Sequence, residues 1–329
     1  MSETFSALRV HRTDGKVHPE LEQLTLDDLS PGNVLVRVDY STINYKDALA
    51  ATGTAPIIRQ FPRVGGIDLA GEVLESEDER FSPGDQVVSL VGGPGETRDG
   101  GYAELARLDG ESLHVLPESI DTRTAMALGT AGLTAALAVH RMEQNGQRPD
   151  LGPILVTGAT GGVGAVAVDL FSGRGYEVVA LTGKAEQRDF LQSLGASEII
   201  DRNELELESK PLGHAQWGGA VDNLGGDVLS WLTRTVRPSG NIASVGLAAS
   251  TELHTTVLPF ILRAVNLLGI NFEVCTDLRG DLWDRLTTDL APRHLDTIVT
   301  REVTLEELPE CFEAYIEGGV TGRTLVKIG

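Results

Sequence analysis

The sequence predicts an α/β protein of two domains, one built on a doubly wound parallel sheet and the other small and rich in β-strands. Three observations predict it. Residues Ile154 to Lys184 (ILVTGATGGVGAVAVDLFSGRGYEVVALTGK) run strand, glycine-rich turn, helix and second strand without interruption. Short apolar segments at 197–200, 219–221, 241–245 and 266–270 extend the parallel pattern to six strands. The chain ahead of residue 121 instead shows short strands separated by turns.

In chain order, the turn Ser30-Pro31-Gly32 precedes an alternating strand at Val34 to Tyr40, and a second strand is expected at Ala70 to Leu74. Phe81 to Asp85 (FSPGD) turns into the apolar run Gln86 to Val91. Asp121 to Met142 reads as a helix capped by Asp121, interrupted at Gly129 and Gly132, and bridging the two domains. After the six-stranded sheet, a helix near Leu305 to Glu317 and a strand at Thr324 to Ile328 return to the first domain. The boundaries predicted are 1–124 with 267–329 for the β-rich domain and 125–266 for the parallel one.

The glycine-rich turn carries chemistry. Gly158, Gly161, Gly162 and Gly164 let the backbone approach a pyrophosphate, and the N-terminal N–H groups of an acid-free helix supply the anion site. This is the Rossmann arrangement for a dinucleotide. A unit selective for NAD ends its second strand with Asp or Glu, which accepts bonds from the ribose 2′-hydroxyl. Here the second strand ends in Thr182-Gly183-Lys184, and Arg202 follows the next apolar run. A hydroxyl, a flexible glycine and two cations suit a 2′-phosphate, which predicts NADPH.

Composition narrows the partners. A formal net charge of −21 opposes binding to nucleic acid or to an anionic membrane. No apolar run reaches the roughly 20 residues needed to span a bilayer, and MSETFSALRV lacks the features of a signal peptide, so a cytoplasmic protein is expected. Cys275 and Cys311 form no ligand cluster and read as reduced, packed thiols. Of 27 basic residues only five are lysine (Lys16, Lys46, Lys184, Lys210, Lys327). Acid excess with few lysines is expected of a protein kept soluble at high salt, where screening reduces self-repulsion.

Several blocks carry a resemblance. They are Asn44 to Ala50 (NYKDALA), Gly66-Ile67-Asp68, Gly129 to Gly132 (GTAG), Thr157 to Gly164 (TGATGGVG), Pro259 to Arg263 (PFILR) and Gly322 to Lys327 (GRTLVK). Together they resemble the zinc-free acrylyl-CoA reductase branch, also labelled quinone oxidoreductase, of the medium-chain dehydrogenase/reductase superfamily. The resemblance implies a β-rich GroES-like catalytic domain beside the Rossmann domain. It also implies a homodimer. Zinc-dependent members carry Gly-His-Glu where this chain has Gly66-Ile67-Asp68, and no cysteine occurs in the N-terminal half, so no catalytic metal is expected.

The activity implied is NADPH-dependent reduction of the C=C bond of acryloyl-CoA. A quinone or enone reductase is the alternative on the same scaffold, and an NADPH-binding redox-sensing protein is the alternative of another class. Tyr45 is the residue placed beside the nicotinamide by resemblance, to hydrogen-bond the ribose, to deliver a proton or to wall the ring. Cofactor contacts are expected at Tyr45, at Gly161, Gly162, Val163, Gly164, Ala165, Val166 and Ala167, and at Thr182, Gly183, Lys184, Ala185 and Glu186. Arg202, Leu247, Ile261, Phe272 and Gly318 complete the set, most acting through backbone groups. Asp47 reads as a helix cap rather than an acid, Arg59 and Arg323 as surface salt-bridge residues before acyl-CoA phosphate contacts, and the histidines 140, 214, 254 and 294 as without a role. Gly65, the glycine-rich loop Val91 to Asp99 and Phe272 depart from the branch near the expected substrate mouth.

The charge balance makes one prediction. Unfolding free energy will rise from low salt to molar KCl, as the cost of a −21 net charge is screened; equal stability in both would refute the high-salt reading.

Overall fold

A computed structural model describes residues 4–207 and 210–329. They form two compact units, Met1–Thr130 with Val299–Gly329, and Ala131–Ile298.

In the second unit, β1 (Ile154–Thr157), α1 (Gly162–Gly173), β2 (Val178–Thr182), α2 (Arg188–Ser193) and β3 (Glu198–Asp201) form one wing. The other comprises β4 (Trp217–Asp222), α3 (Gly226–Thr235), β5 (Val236–Ser244), α4 (Leu258–Arg263) and β6 (Asn266–Gly269). The strands lie in the order β3-β2-β1-β4-β5-β6, and every pair is parallel. This is the doubly wound sheet expected, with strand order reversing between β1 and β4. All residues of β1, β2 and β4 are buried, because a parallel sheet is covered on both faces and its central strands need no polar side. Leu155, Leu181, Ala220, Leu232 and Ile242 build its core, with Trp217 edge-on to Trp231 at 6.1 Å.

The turn into α1 depends on glycine at two points. Gly158 takes φ +57°, and a β-carbon on Gly164 would lie 2.3 Å from the Gly158 carbonyl oxygen, so the helix packs onto the strand end only without one.

This unit extends past the expected boundary at residue 266. Leu282, Trp283 and Leu286 of the helix Arg279–Leu286 are buried. Arg285 Nη2 donates to Glu143 (2.7 Å), and buried Asp169 of α1 accepts from Arg293 N (2.8 Å) and lies 2.7 Å from His294 Nδ1. These polar ties hold 272–298 to the parallel unit and give His294 a structural part that its scattered position in the sequence concealed.

The first unit holds a three-stranded sheet, Lys16–Leu24, Phe5–Thr13 and Arg63–Val64. Its hairpin turns at Asp14-Gly15, both at positive φ, the Asp-Gly signal of a tight turn that the reading above passed over. A seven-stranded sheet is centred on Val34–Thr42, which pairs with Leu69–Ser76, Leu105–Leu108 and Arg323–Lys327. The final strand thus returns to this unit as expected. Ahead of it, the predicted long helix is a short one, Phe312–Ile316, after a single 3₁₀ turn, since Pro309 and Gly318 confine it.

The helix Thr122–Gln144 starts as expected, with Asp121 accepting from Thr124 N at 2.7 Å, but it breaks at Gly129 (φ 52°, ψ −161°) and not at Gly132. Among the described residues no helix is long and apolar enough to cross a membrane.

The turn yields a paired prediction. Gly164→Ala will cost about 1–3 kcal/mol by overpacking, measured by urea denaturation, whereas Gly161→Ala, whose β-carbon meets only the Gly158 oxygen at 3.3 Å, will cost less.

Candidate functional site

The carboxyl ends of the parallel strands gather most of the expected cofactor residues. Gly161 N-caps α1, whose first turn has no acidic residue, so its N–H groups and dipole are available to a phosphate. Ala165, Val166 and Ala167 are buried to 0% exposure and pack inward with Gly164, which leaves Gly161, Gly162 and Val163 as the half-buried start of the helix. Around them, Thr157 Oγ1 donates to buried Asp222 (2.8 Å), and Asn223 donates from N to Thr157 Oγ1 (2.9 Å) and from Nδ2 to Thr157 O (2.7 Å). These bonds lock β1 to β4 where the strand order reverses. Burial raises the Asp222 carboxyl above its ordinary range, opposed by bonds from Gly225 N and Thr157. The sequence reading missed Asp222 and Asn223; their signal was two short polar residues ending a buried strand.

At the end of β2, Thr182 Oγ1 lies 3.3 Å from Thr160 Oγ1 and accepts from Lys184 N at 3.1 Å. A β-carbon at Gly183 would lie 3.1 Å from Arg202 Nη2, so the Arg202 guanidinium rests against the glycine backbone. Lys184 and Arg202, separated in sequence by a helix and a strand, therefore flank one glycine. Desolvation lowers the Lys184 ammonium below the ordinary lysine value, with Glu186 opposing. A partly buried cation of this kind favours an arriving anion, which replaces lost hydration. The residues present fit the 2′-phosphate of NADPH in donor type and charge.

Leu247 (59% exposed) follows β5 and Phe272 (3%) follows β6, on the same sheet edge, and Ile261 (71%) lies on α4. Ala185 and Glu186 are exposed beyond Lys184. Tyr45 and Gly318 belong to the other compact unit.

In that unit, Tyr45 opens the helix Tyr45–Thr52 and is 41% exposed. Asn44 is the N-cap, and Asp47 Oδ2 accepts from Asn44 N at 2.8 Å, as a cap residue should. Asp47 also accepts from Ile67 N at 2.9 Å, which ties this turn to Gly66-Ile67-Asp68. Asp68, 0% exposed, accepts from Asn44 Nδ2 (2.9 Å), Thr130 N (2.8 Å) and Thr130 Oγ1 (2.5 Å). Lys46 Nζ pairs with Glu96 of the glycine-rich loop at 2.8 Å.

Arg323 corrects its surface reading. It is 2% exposed, and it donates to Thr42 Oγ1 (2.9 Å), Asn44 Oδ1 (3.0 Å) and Ala127 O (3.3 Å). No sequence pattern pairs it with Asp68, which reaches the same point beside Gly129 only through the fold. Arg59 is exposed. Among the described residues one cluster has metal-ligand spacing, His11, Glu20 and Glu22 on the first hairpin, and Arg9 already donates to Glu22 there.

Comparison with known proteins follows this geometry. Residues 30–118 match the alcohol dehydrogenase GroES-like domain family, and residues 162–288 match the zinc-binding dehydrogenase family. Acrylyl-CoA reductase AcuI of Ruegeria pomeroyi is 44% identical over 98% of this chain and 99% of its own length. YhfP of Bacillus subtilis, provisionally named a quinone oxidoreductase, is 45% identical over the full length of both. The crystal structure of Escherichia coli K-12 YhdH with bound NADPH is similar at TM-score 0.95 and 44% identity, over 98% of this chain and 100% of that one. YhfP with NAD bound is similar at TM-score 0.96 and 45% identity, over 99% and 100%.

The buried cation makes a prediction. Arg323→Met will destabilise the protein by about 3–5 kcal/mol, because Asp68 is left as an uncompensated buried charge; adding Asp68→Asn will recover part of that loss in denaturant melts.

Proposed function

The chain belongs to the medium-chain dehydrogenase/reductase family, and within it we propose an NADPH-dependent reductase that converts the C=C bond of an enoyl thioester, acryloyl-CoA, to the saturated propanoyl-CoA. The observation that carries the cofactor choice is the Arg202 guanidinium resting against Gly183, next in the chain to Lys184, with Thr182 and no carboxylate at the end of β2. One relative above binds NADPH and another NAD, so the preference of this chain rests on those side chains. The substrate class is supported by likeness to an acrylyl-CoA reductase over nearly the whole chain.

When bound, NADPH supplies a hydride from nicotinamide C4 to the thioester's β-carbon, and the thioester carbonyl delocalises the charge until a proton reaches the α-carbon. The chain's part is to bind and orient. The half-buried start of α1 holds the pyrophosphate through backbone N–H groups, and Lys184 with Arg202 holds the 2′-phosphate. Tyr45 hydrogen-bonds the cofactor ribose or delivers the α-carbon proton. No metal is proposed, because Ile67 offers no ligand atom and both cysteines lie far along the chain from it. The same reading makes the protein a cytoplasmic homodimer acting on a small molecule.

Three measurements test this. NADPH oxidation followed with acryloyl-CoA, crotonoyl-CoA, a quinone and a small enone will be fastest with a thioester; preference for the quinone or enone favours the alternative enzyme, and no turnover favours a redox-sensing NADPH-binding protein. Lys184→Ala or Arg202→Ala each removes a charge-assisted bond of about 1.5–3 kcal/mol and will weaken NADPH binding about 10- to 100-fold, with NADH nearly unaffected; equal losses would refute the assignment. Tyr45→Phe that holds kcat within a fewfold would rule out the proton-donor role.

A further inference from the structure

Two carboxylates and one guanidinium are buried behind the turn that carries Tyr45, and their charges do not balance. Asp47 is 3% exposed, Asp68 0% and Arg323 2%. Asn44 links all three, donating from its backbone N–H to Asp47 and from Nδ2 to Asp68, and accepting from Arg323 at Oδ1. We propose that Asp47 is a positioning residue, retained as a neutral carboxylic acid beside ionised Asp68, and that its proton holds the Asn44-Tyr45 turn in place. The functional consequence rests on the role given to Tyr45 above.

The hydrogen bonds divide the two acids. Burial raises the Asp68 carboxyl too, but its three donors, from both Thr130 groups and from Asn44, and the charge of Arg323 oppose that rise, so of the two it is the acid equipped to be an anion. Arg323 and Asp68 also press on the same point: a β-carbon at Gly129 would lie 2.7 Å from Arg323 Nη2 and 2.7 Å from Asp68 Oδ2. One cation thus answers one anion. Asp47 accepts from two backbone donors, Asn44 N and Ile67 N, and the Asn44 side chain adds to them. The hydroxyl of Tyr102 gives its hydrogen to Thr42 O (3.2 Å) and is within bonding reach of Asp47, so its oxygen is an acceptor for the Asp47 proton.

The titratable groups facing Asp47 are Asp68, Tyr102 and Tyr315, with Arg323 joined to it through Asn44 and Lys46 beside it in sequence and paired to Glu96. Burial pushes the Asp47 carboxyl up to about 7, Asp68 adds to the rise, and the Asn44 and Ile67 bonds oppose it. With a folded value above the unfolded one, the proton's contribution to the fold is complete below the ordinary carboxylate range and is lost as pH rises through about 7. Above that point a second buried anion repels Asp68, and the turn from Asn44 to Asp47 loosens.

Amide hydrogen exchange of residues 44–48, corrected for intrinsic rates and followed from about pH 6 to about pH 8.5, decides the proposal without any substrate. Protection in the wild type is expected to fall about tenfold or more through a midpoint near neutrality. In Asp47→Asn protection is expected to be lower at acid pH and independent of pH, and in Asp68→Asn the midpoint moves down, because the Asp68 charge that raises the Asp47 carboxyl is gone. Constant wild-type protection over that range, or a midpoint unmoved in Asp68→Asn, would overturn the proposal even if Asp47→Asn fails to fold. With the preferred acceptor, kcat is expected to fall through the same midpoint while KM for NADPH stays level. Turnover of none of the acceptors would defeat the function proposed above and leave the exchange experiment to decide this inference.

Discussion

A guanidinium removed from water is tolerated where its charge and its donors are both met, and the first unit is organised around meeting those of Arg323. Its three donated bonds reach the end of the central strand at Thr42, the helix cap at Asn44 and the backbone just before the helix break at Gly129. Because Arg323 itself lies on the last strand, those bonds draw the C-terminus of the chain into the same centre as residues near 44, 68 and 130. Gly129 is part of the same constraint. Its left-handed conformation and the two charged groups against it exclude any side chain, so the helix must break where the guanidinium and the carboxylate arrive.

The parallel unit solves a different problem. Its candidate site edge is made of half-buried backbone donors and a partly desolvated lysine, groups that would be costly if fully buried without a partner. The sheet supports them from below with fully buried strands, and the Thr157-Asp222-Asn223 bonds clamp β1 to β4 at the strand-order reversal. An anion arriving at this edge meets donors already in position, so little reorganisation opposes binding.

Much of this was legible in advance. The strand Ile154–Thr157 and the glycines after it matched in place, because a turn that needs positive φ and close backbone approach admits few residue types. Lys184 and Arg202 were legible for a similar reason, as both follow strand ends in a repeating unit whose geometry is known. Asp47 was read correctly as a cap, since a capping box is a local pattern four residues long, here Asn44 to Asp47. The hairpin at Asp14-Gly15 was equally local and was overlooked.

Arg323 shows where such reading stops. An arginine in an apolar strand near a chain end carries no mark of burial; what buried it was a carboxylate and a cap that only strand pairing brings near. The same holds for the boundary at 298, drawn by Asp169 and the adjacent pair Arg293-His294, far from it in sequence. The sequence by itself determined the parallel sheet, the glycine-rich turn and the cations that follow β2 and β3, because these follow from local backbone geometry and a short-range repeat. Only the tertiary structure decided the charge balance behind Tyr45, because desolvation and pairing depend on which distant side chains share one interior.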